Sequence, residues 1–321
     1  MQTNNLLSMP KQRTLKEPFS LTGKGLHTGL KLTARFCPAP AGYGYKIERI
    51  DVPGKSIIEV LAENVHDTPR GTIIDNGSEH VSTIEHGLAA LYALGIDNCH
   101  ICVDGPEFPI LDGSSAYYVQ HIQRVGVVEQ DMDREILVVD HITEFYDEQS
   151  GSRLTIEPAD EFSLSVMVSF ENSIIRNQHA ELSSMSAFAT EVASARTFVF
   201  VRDLEPLLNR GLIRGGDLDN AIVIYERQLS QEQYDQLADI LKVPRMDATR
   251  LGYIMHRPLV WDNEPARHKL LDVIGDLALT GRFIQGHVIA EKPGHKVNNL
   301  FARKIRQEYG LAGITLNKST V

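Results

Sequence analysis

One helix–strand–helix plan occurs twice along this chain, and that repetition constrains the fold more than any other feature. In the first half "STIEHGLAALYALG" (82–95) has helical periodicity, and "IDNCHICVDGPEFPILDG" after it alternates and is broken by turns. "SSAYYVQHIQRVG" (114–126) is helical again. In the second half "ARHKLLDVIGDLALTG" (266–281) takes the place of the first helix and "RFIQGHVIAEKPG" that of the strand. "HKVNNLFARKIRQEYG" (295–310) then closes as a helix ending at glycine. Each half also opens on alternating stretches, "LKLTARFCPAP" and "SRLTIEPADEFSLSVMVSF". The polar "VVEQDMDRE" (127–135) is the expected linker. The prediction is α+β: two domains of similar plan, 10–127 and 134–312, each with helices on a mainly antiparallel sheet. Equivalent helix starts can then meet across the interface between the domains, a favoured place for a ligand site.

The formal net charge of −10 repels polyanions, and no basic stripe is visible, so nucleic acid is not an expected partner. A pocket's local charge can still oppose the net sign and accept one anionic small molecule. No apolar run approaches the ~18 residues of a membrane span. The N-terminus lacks a signal-peptide pattern. Three cysteines, Cys37, Cys99 and Cys102, make no disulfide framework and fit a reducing cytoplasm. In "CHIC" strand alternation puts Cys99 and Cys102 on opposite faces, so the motif is rejected as a zinc site. No protein partner is evident.

Within "EPARHKLLDVIGDLALTG" (264–281) Leu270, Leu271, Val273, Ile274, Leu277 and Ala278 form a burying face. His268, Asp272 and Asp276 form the opposite stripe, with His268 and Asp272 stacked one turn apart. That pair reads either as an ion pair on a solvated face or as two ligands of a catalytic metal, which commonly has three protein ligands. In "STIEHGLAAL" Ser82 and Glu85 fit a capping box. The same stretch offers His86 as a third ligand and Glu85 as a general base beside it. A helix start disfavours the imidazolium form and keeps His86 in the neutral state a metal requires. His295, in "KPGHKVNN", is either a surface histidine or a cationic acid whose pKa Asp276 raises. Thr197, in "SARTFVFVRD", is a possible hydroxyl donor. The Gly-Gly of "NRGLIRGGDLDNAIVI" lacks the lysine and Ser/Thr of a phosphate loop. His27, in "GKGLHTG", lies in a glycine-flanked turn and by itself indicates little.

Seven segments in order resemble one family. They are "QRTLKEPFSLTGKGLHTG", "STIEHGLAALYALGIDN", "PILDGSSAYYV", "ARTFVFVRD", "GGDLDNAIV", "RHKLLDVIGDL" and "PGHKVNN", running from about Gln12 to Arg306. The family is the zinc-dependent UDP-3-O-acyl-N-acetylglucosamine deacetylases of lipid A biosynthesis. The resemblance implies removal of an N-acetyl group from a UDP-linked acylated amino sugar by a cytoplasmic zinc enzyme. It makes His86, His268 and Asp272 the metal ligands, with iron(II) or cobalt(II) as alternative occupants of such a set. Glu85 becomes the general base, His295 a protonated assistant and Asp276 the carboxylate orienting it. Thr197 and Lys269 line the reacting carbonyl and the substrate phosphate region. Phe198, Leu204, Ile213, Ala221 and Val223 fall in the acyl-chain passage, with Phe170 on the uridine side and Arg153 supplying charge there. The segment 225–262 is longer than the matching linker of many members. Some members are fused to a C-terminal acyl-carrier-protein dehydratase, whereas this sequence ends at "GITLNKSTV". Another zinc amidohydrolase, or a sugar-nucleotide binding protein without catalysis, are the alternative functions.

Overall fold

The structure, a computed structural model, describes residues 10–54, 56–170, 174–204 and 214–313. A five-stranded sheet organises each half. In the first, Phe19–Lys24, Lys31–Pro38, Cys99–Val103, Tyr45–Arg49 and Ser56–Glu59 lie side by side in that order. In the second the order is Thr143–Asp147, Ser152–Glu157, His287–Glu291, Ser163–Ser169 and Asn177–Leu182. Counted along each half, both sheets read first, second, fifth, third, fourth. In both, the fifth strand runs parallel to the third and the other pairings are antiparallel. The expected α+β class, with two halves of like plan and helices on mainly antiparallel sheets, is the fold found.

The longer helices are α1 (Glu85–Ala93), α2 (Ala116–Val125), α3 (Gln231–Leu241), α4 (Glu264–Leu277) and α5 (His295–Glu308). A parallel strand pair needs a crossover, and α1 and α4 occupy equivalent places in the two crossovers. These two helices pack on each other. Leu88 and Leu91 of α1 share one continuous buried cluster with Leu270, Val273, Ile274 and Leu277 of α4 and with inward residues of both sheets. Each such Leu, Ile or Val contributes about 1.5–3 kcal/mol by leaving water. At the crossing a Cβ on Gly275 would overlap the backbone carbonyl of Glu85. Glycine is what lets the helices approach closely enough to bring their polar residues together.

Four local expectations change. α4 ends at Leu277, and a 3₁₀ turn, Ala278–Thr280, stops at Gly281 with φ 71°. The capping box is absent: α1 begins without a side-chain cap, and the Ser82 hydroxyl donates to the Pro106 carbonyl, 3.2 Å away. The solvated-face reading of α4 also fails, because His268, Asp272 and Asp276 are at most 2% exposed. A helix packed on both sides has no water-facing stripe, so its polar residues must find partners inside. The linker "VVEQDMDRE" contains a strand, Val127–Asp133, paired antiparallel with Lys11–Leu15. Its side chains are largely exposed, which is why the sequence reads as polar connection.

The segment 225–262 folds. α3 starts at Ser230 in a capping box with Gln233, and Tyr234, Leu237 and Ala238 pack with Tyr225, Val223 and Leu204 in a small core of their own. Among the described residues no helix is long and apolar enough to cross a membrane.

Candidate active site

The α1–α4 crossing places His86 from one half against His268 and Asp272 from the other. Their rings meet edge to face at 5.0 Å. Asp272 Oδ1 lies 3.4 Å from His268 Nε2 and 3.8 Å from His86 Nε2. That oxygen is buried and has no hydrogen-bond partner. His268 Nδ1 donates to the Ala195 carbonyl at 3.0 Å, which leaves Nε2 to face the centre. An imidazole fixed through its far nitrogen is the usual setting of a metal ligand. One donor atom from each of the three residues lies within 4.8 Å of the others. Burial, and then the neighbouring His268, push the His86 pKa down to about 3, so it offers a lone pair at neutral pH. Burial opposes ionisation of Asp272, but His268, Lys269, His295 and His86 outweigh it and hold the carboxyl well below its usual range. Lys269 Nζ donates to the other oxygen, Oδ2, at 2.7 Å. Two neutral imidazoles and one ionised carboxylate with an orphaned oxygen fit a divalent metal ion.

Beside this group stands a second one. His295, at the start of α5, donates from Nδ1 to Asp276 Oδ2 at 3.0 Å, and its Nε2 lies 3.9 Å from Glu85 Oε1. Burial works against its charge, but Asp276, Asp272 and Glu85 prevail and push its pKa up to about 9. Glu85 moves toward the neutral range for the opposite reason. Burial raises its pKa to about 7, with Asp276 and Asp272 adding to the effect against the pull of His295. A carboxylate near 7 next to a histidine near 9 is a paired acid–base arrangement.

Sequence spacing missed the residues that hold this pair. Thr72 is fully buried; its backbone N–H donates to Glu85 Oε2 at 3.1 Å, and its hydroxyl donates to Asp276 Oδ1 at 2.5 Å. Asn298, one turn along α5 from His295, donates to Asp276 Oδ2 at 2.8 Å. Glu107, also fully buried, accepts from the backbone N–H groups of His27 and Thr28 and from the hydroxyls of Thr28 and Thr83. It ties the glycine-flanked turn to the start of α1. Thr83 there has φ 58°, a left-handed backbone uncommon for a β-branched residue. His27 lines the site, and both of its ring nitrogens are buried without a partner.

The site opens into a cavity of about 680 Å³. Its wall includes Glu85, His86, His268, Lys269, Asp272 and His295 together with Thr197, Phe198, Leu204, Ala221 and Val223. Leu241 of α3 also reaches it, so the long inserted segment contributes to the wall. Asp276 stands behind His295 and does not line the cavity. Ile213 lies outside the described residues. The structure does not bring Phe170 or Arg153 to the wall. Phe170 packs against Phe198 and Phe200 at 5.7 and 4.9 Å between ring centres, in a small apolar cluster. Arg153 points along its strand pair to Glu144, 3.1 Å away, and over the Tyr146 ring. Among the described residues, Arg70, Lys292 and Lys296 add lysine and arginine charge to the wall beside Lys269.

The fold and the site define a class: α+β proteins of duplicated plan with a buried His₂Asp group at the junction of their halves. The family profile described as UDP-3-O-acyl N-acetylglycosamine deacetylase matches residues 12–239 and 248–307. The chain belongs to that family. It is 39% identical over 298 residues to the UDP-3-O-acyl-N-acetylglucosamine deacetylase of Myxococcus xanthus, covering 92% of this chain and 87% of the relative. It is 60% identical over 303 residues to a protein of Bacteroides thetaiotaomicron named bifunctional enzyme LpxC/FabZ, and 54% identical over 300 residues to its namesake in Porphyromonas gingivalis. Each match covers 94% of this chain, which spans only 66% and 65% of the lengths of those two relatives.

Proposed function

We propose that this chain hydrolyses the N-acetyl group of UDP-3-O-acyl-N-acetylglucosamine, releasing acetate and UDP-3-O-acyl-glucosamine as a zinc-dependent step of lipid A biosynthesis. The observation that carries the reading is the orphaned Asp272 oxygen between two neutral histidines, beside Glu85 on the cavity wall. His86, His268 and Asp272 would hold the ion, and the same set accepts iron(II). When bound, zinc supplies Lewis acidity, activating a water and polarising the acetamide carbonyl.

The remaining work falls to the chain's own side chains. Glu85 takes the proton of the attacking water, a task suited to a carboxylate whose pKa is already near neutral. Negative charge growing on the carbonyl oxygen is met by the Thr197 hydroxyl and by cationic His295; one such preorganised donor is worth about 3 kcal/mol. Asp276 keeps His295 charged and fixes its ring. The departing amine recovers a proton from Glu85 or His295. Lys269 sits where it can balance phosphate charge. The acyl chain is assigned to the wall of Phe198, Leu204, Ala221 and Val223, with Ile213 as a further expected contact, at ~0.8 kcal/mol per buried CH₂. The two domains are taken as 10–127 and 134–312, with 225–262 inserted in the second. A cytoplasmic setting suits three cysteines that are all free thiols.

Acetate release from the UDP-linked substrate, measured before and after chelation and after zinc is restored, tests the assignment. The expected result is activity lost on chelation and regained with zinc. Turnover of an unrelated amide with none of this substrate would identify a different amidohydrolase. Binding without any turnover would identify a sugar-nucleotide binding protein.

Thr72 is a positioning residue in this scheme, since it touches Glu85 and Asp276 but does not line the cavity. Thr72→Val removes the hydroxyl bond to Asp276 and keeps the backbone bond to Glu85. The expected outcome is a fall in kcat of about tenfold, near 1.4 kcal/mol, with KM unchanged. Thr72→Ser, which restores the hydroxyl, should recover most of the loss.

A further inference from the structure

The outer face of the first sheet carries a second group of metal-ligating side chains, none of which lines the cavity. Along Cys99–Val103 burial alternates strictly, so Cys99, Ile101 and Val103 face the core and His100 and Cys102 face outward. The adjacent strands bring partners to that same face. Glu48 lies opposite Cys102 on the parallel neighbour, and Cys37 lies opposite His100 on the antiparallel one. His100 Nε2 is 2.9 Å from Glu48 Oε2, and its Nδ1 is 2.9 Å from the Tyr43 hydroxyl. One donor atom from each of Glu48, His100 and Cys102 lies within 4.8 Å of the other two.

We propose that Glu48, His100 and Cys102, joined by Cys37, form a binding site for a borderline-soft divalent cation such as zinc. Mixed sulfur, nitrogen and oxygen donors in a set of four suit tetrahedral zinc. His100 Nε2–H donates to Glu48 while Nδ1 accepts from the Tyr43 hydroxyl, so an ion would take the place of the Nε2 proton, with Tyr43 still orienting the ring. The His100 and Glu48 side chains are 22% and 19% exposed, which leaves the site reachable from solvent. Burial raises the Cys102 pKa, Cys37 and then Glu48 add to it, and Arg35, opposite Cys102 on the antiparallel strand, pulls against them, leaving it at about 11. Burial first, and then the neighbouring Cys37 and Glu48, hold the thiol protonated, and a bound cation would favour the thiolate, so binding releases protons and tightens as pH rises. The C-x-x-C spacing is incidental, because Cys99 points into the core. An ion here would clamp three neighbouring strands.

Cobalt(II) distinguishes this site from the one at the α1–α4 crossing, which contains no sulfur. Reduced protein, stripped with a chelator and titrated with cobalt(II), is expected to develop thiolate-to-cobalt charge-transfer absorption. Bound cobalt should reach two equivalents. Replacing both sulfurs, Cys37→Ser together with Cys102→Ser, should abolish the absorption and lower bound cobalt to one equivalent, while metal-dependent acetate release is unchanged. His100→Gln should weaken the absorption independently of any effect of the serine variant on folding, which circular dichroism monitors. No thiolate absorption at saturating cobalt in folded, reduced wild type would overturn the proposal. So would absorption that persists with Cys37→Ser and Cys102→Ser both in place. Neither outcome depends on the deacetylase assignment, which the acetate assay reads separately.

Discussion

Glu85→Gln is expected to lower acetate release by about 10²–10⁴-fold, the usual contribution of a positioned general base, while bound metal stays at its wild-type level. Glutamine preserves the shape of the side chain and an acceptor oxygen for the Thr72 backbone N–H, which donates to Glu85 Oε2 at 3.1 Å. Gly275 still permits the same helix crossing, because it packs on the Glu85 backbone and not on its side chain. What the substitution removes is the proton acceptor, together with one of the three carboxylates that keep His295 charged. The predicted loss therefore appears in kcat, with KM within a fewfold of wild type, because the ligands and the apolar wall are untouched. Steady-state acetate release and metal analysis on the same preparation decide it. A variant that keeps its metal and retains activity within tenfold would remove Glu85 from the base role and leave the metal assignment standing.

The parts of this site that could be read from sequence are those set by local periodicity. The i, i+4 spacing of His268 and Asp272 fixes them on one helix face, and the repeated plan identifies α1 as the counterpart of α4. The strand order follows the same logic, since two equivalent crossovers in like sequences yield two like sheets. What spacing could not supply was the environment. Whether the stripe of α4 meets water or another helix depends on the second half of the molecule. Thr72 and Asp276 are 204 positions apart, and nothing local to either marks the contact. Glu107 similarly acts at a distance, on the turn at His27 and the strained Thr83. The position of Phe170 and Arg153 off the cavity wall has the same origin. Strand alternation gives the face on which a side chain stands, but packing decides whether that face borders the cavity. Burial raises Glu85, whereas Asp276, Asp272 and Glu85 raise His295 against the effect of burial, so the separation of the two depends on neighbours that only the folded chain brings together.

Asp272→Ala should have the larger effect: loss of the ion from the α1–α4 crossing and a fall in acetate release of about 10³-fold or more. Lewis-acid activation is worth several kcal/mol, and each 1.36 kcal/mol is tenfold in rate. Two neutral histidines would remain. His86, whose pKa is about 3, and His268, whose pKa is also lowered, cannot by themselves neutralise a dication in so buried a place. The substitution also removes the 2.7 Å partner of Lys269 and one of the carboxylates supporting the charge on His295. Asp272→Asn separates these effects, because it keeps the volume and an oxygen toward Lys269 but gives up the negative charge. If charge is the requirement, Asn should bind metal nearly as poorly as Ala, and added zinc should restore neither. Bound metal falls by one equivalent in both variants, and circular dichroism should retain the wild-type signature. An Asp272→Ala protein with a full complement of metal and substantial activity would mean that the orphaned oxygen is not a ligand. The catalytic ion would then have to lie elsewhere on the cavity wall.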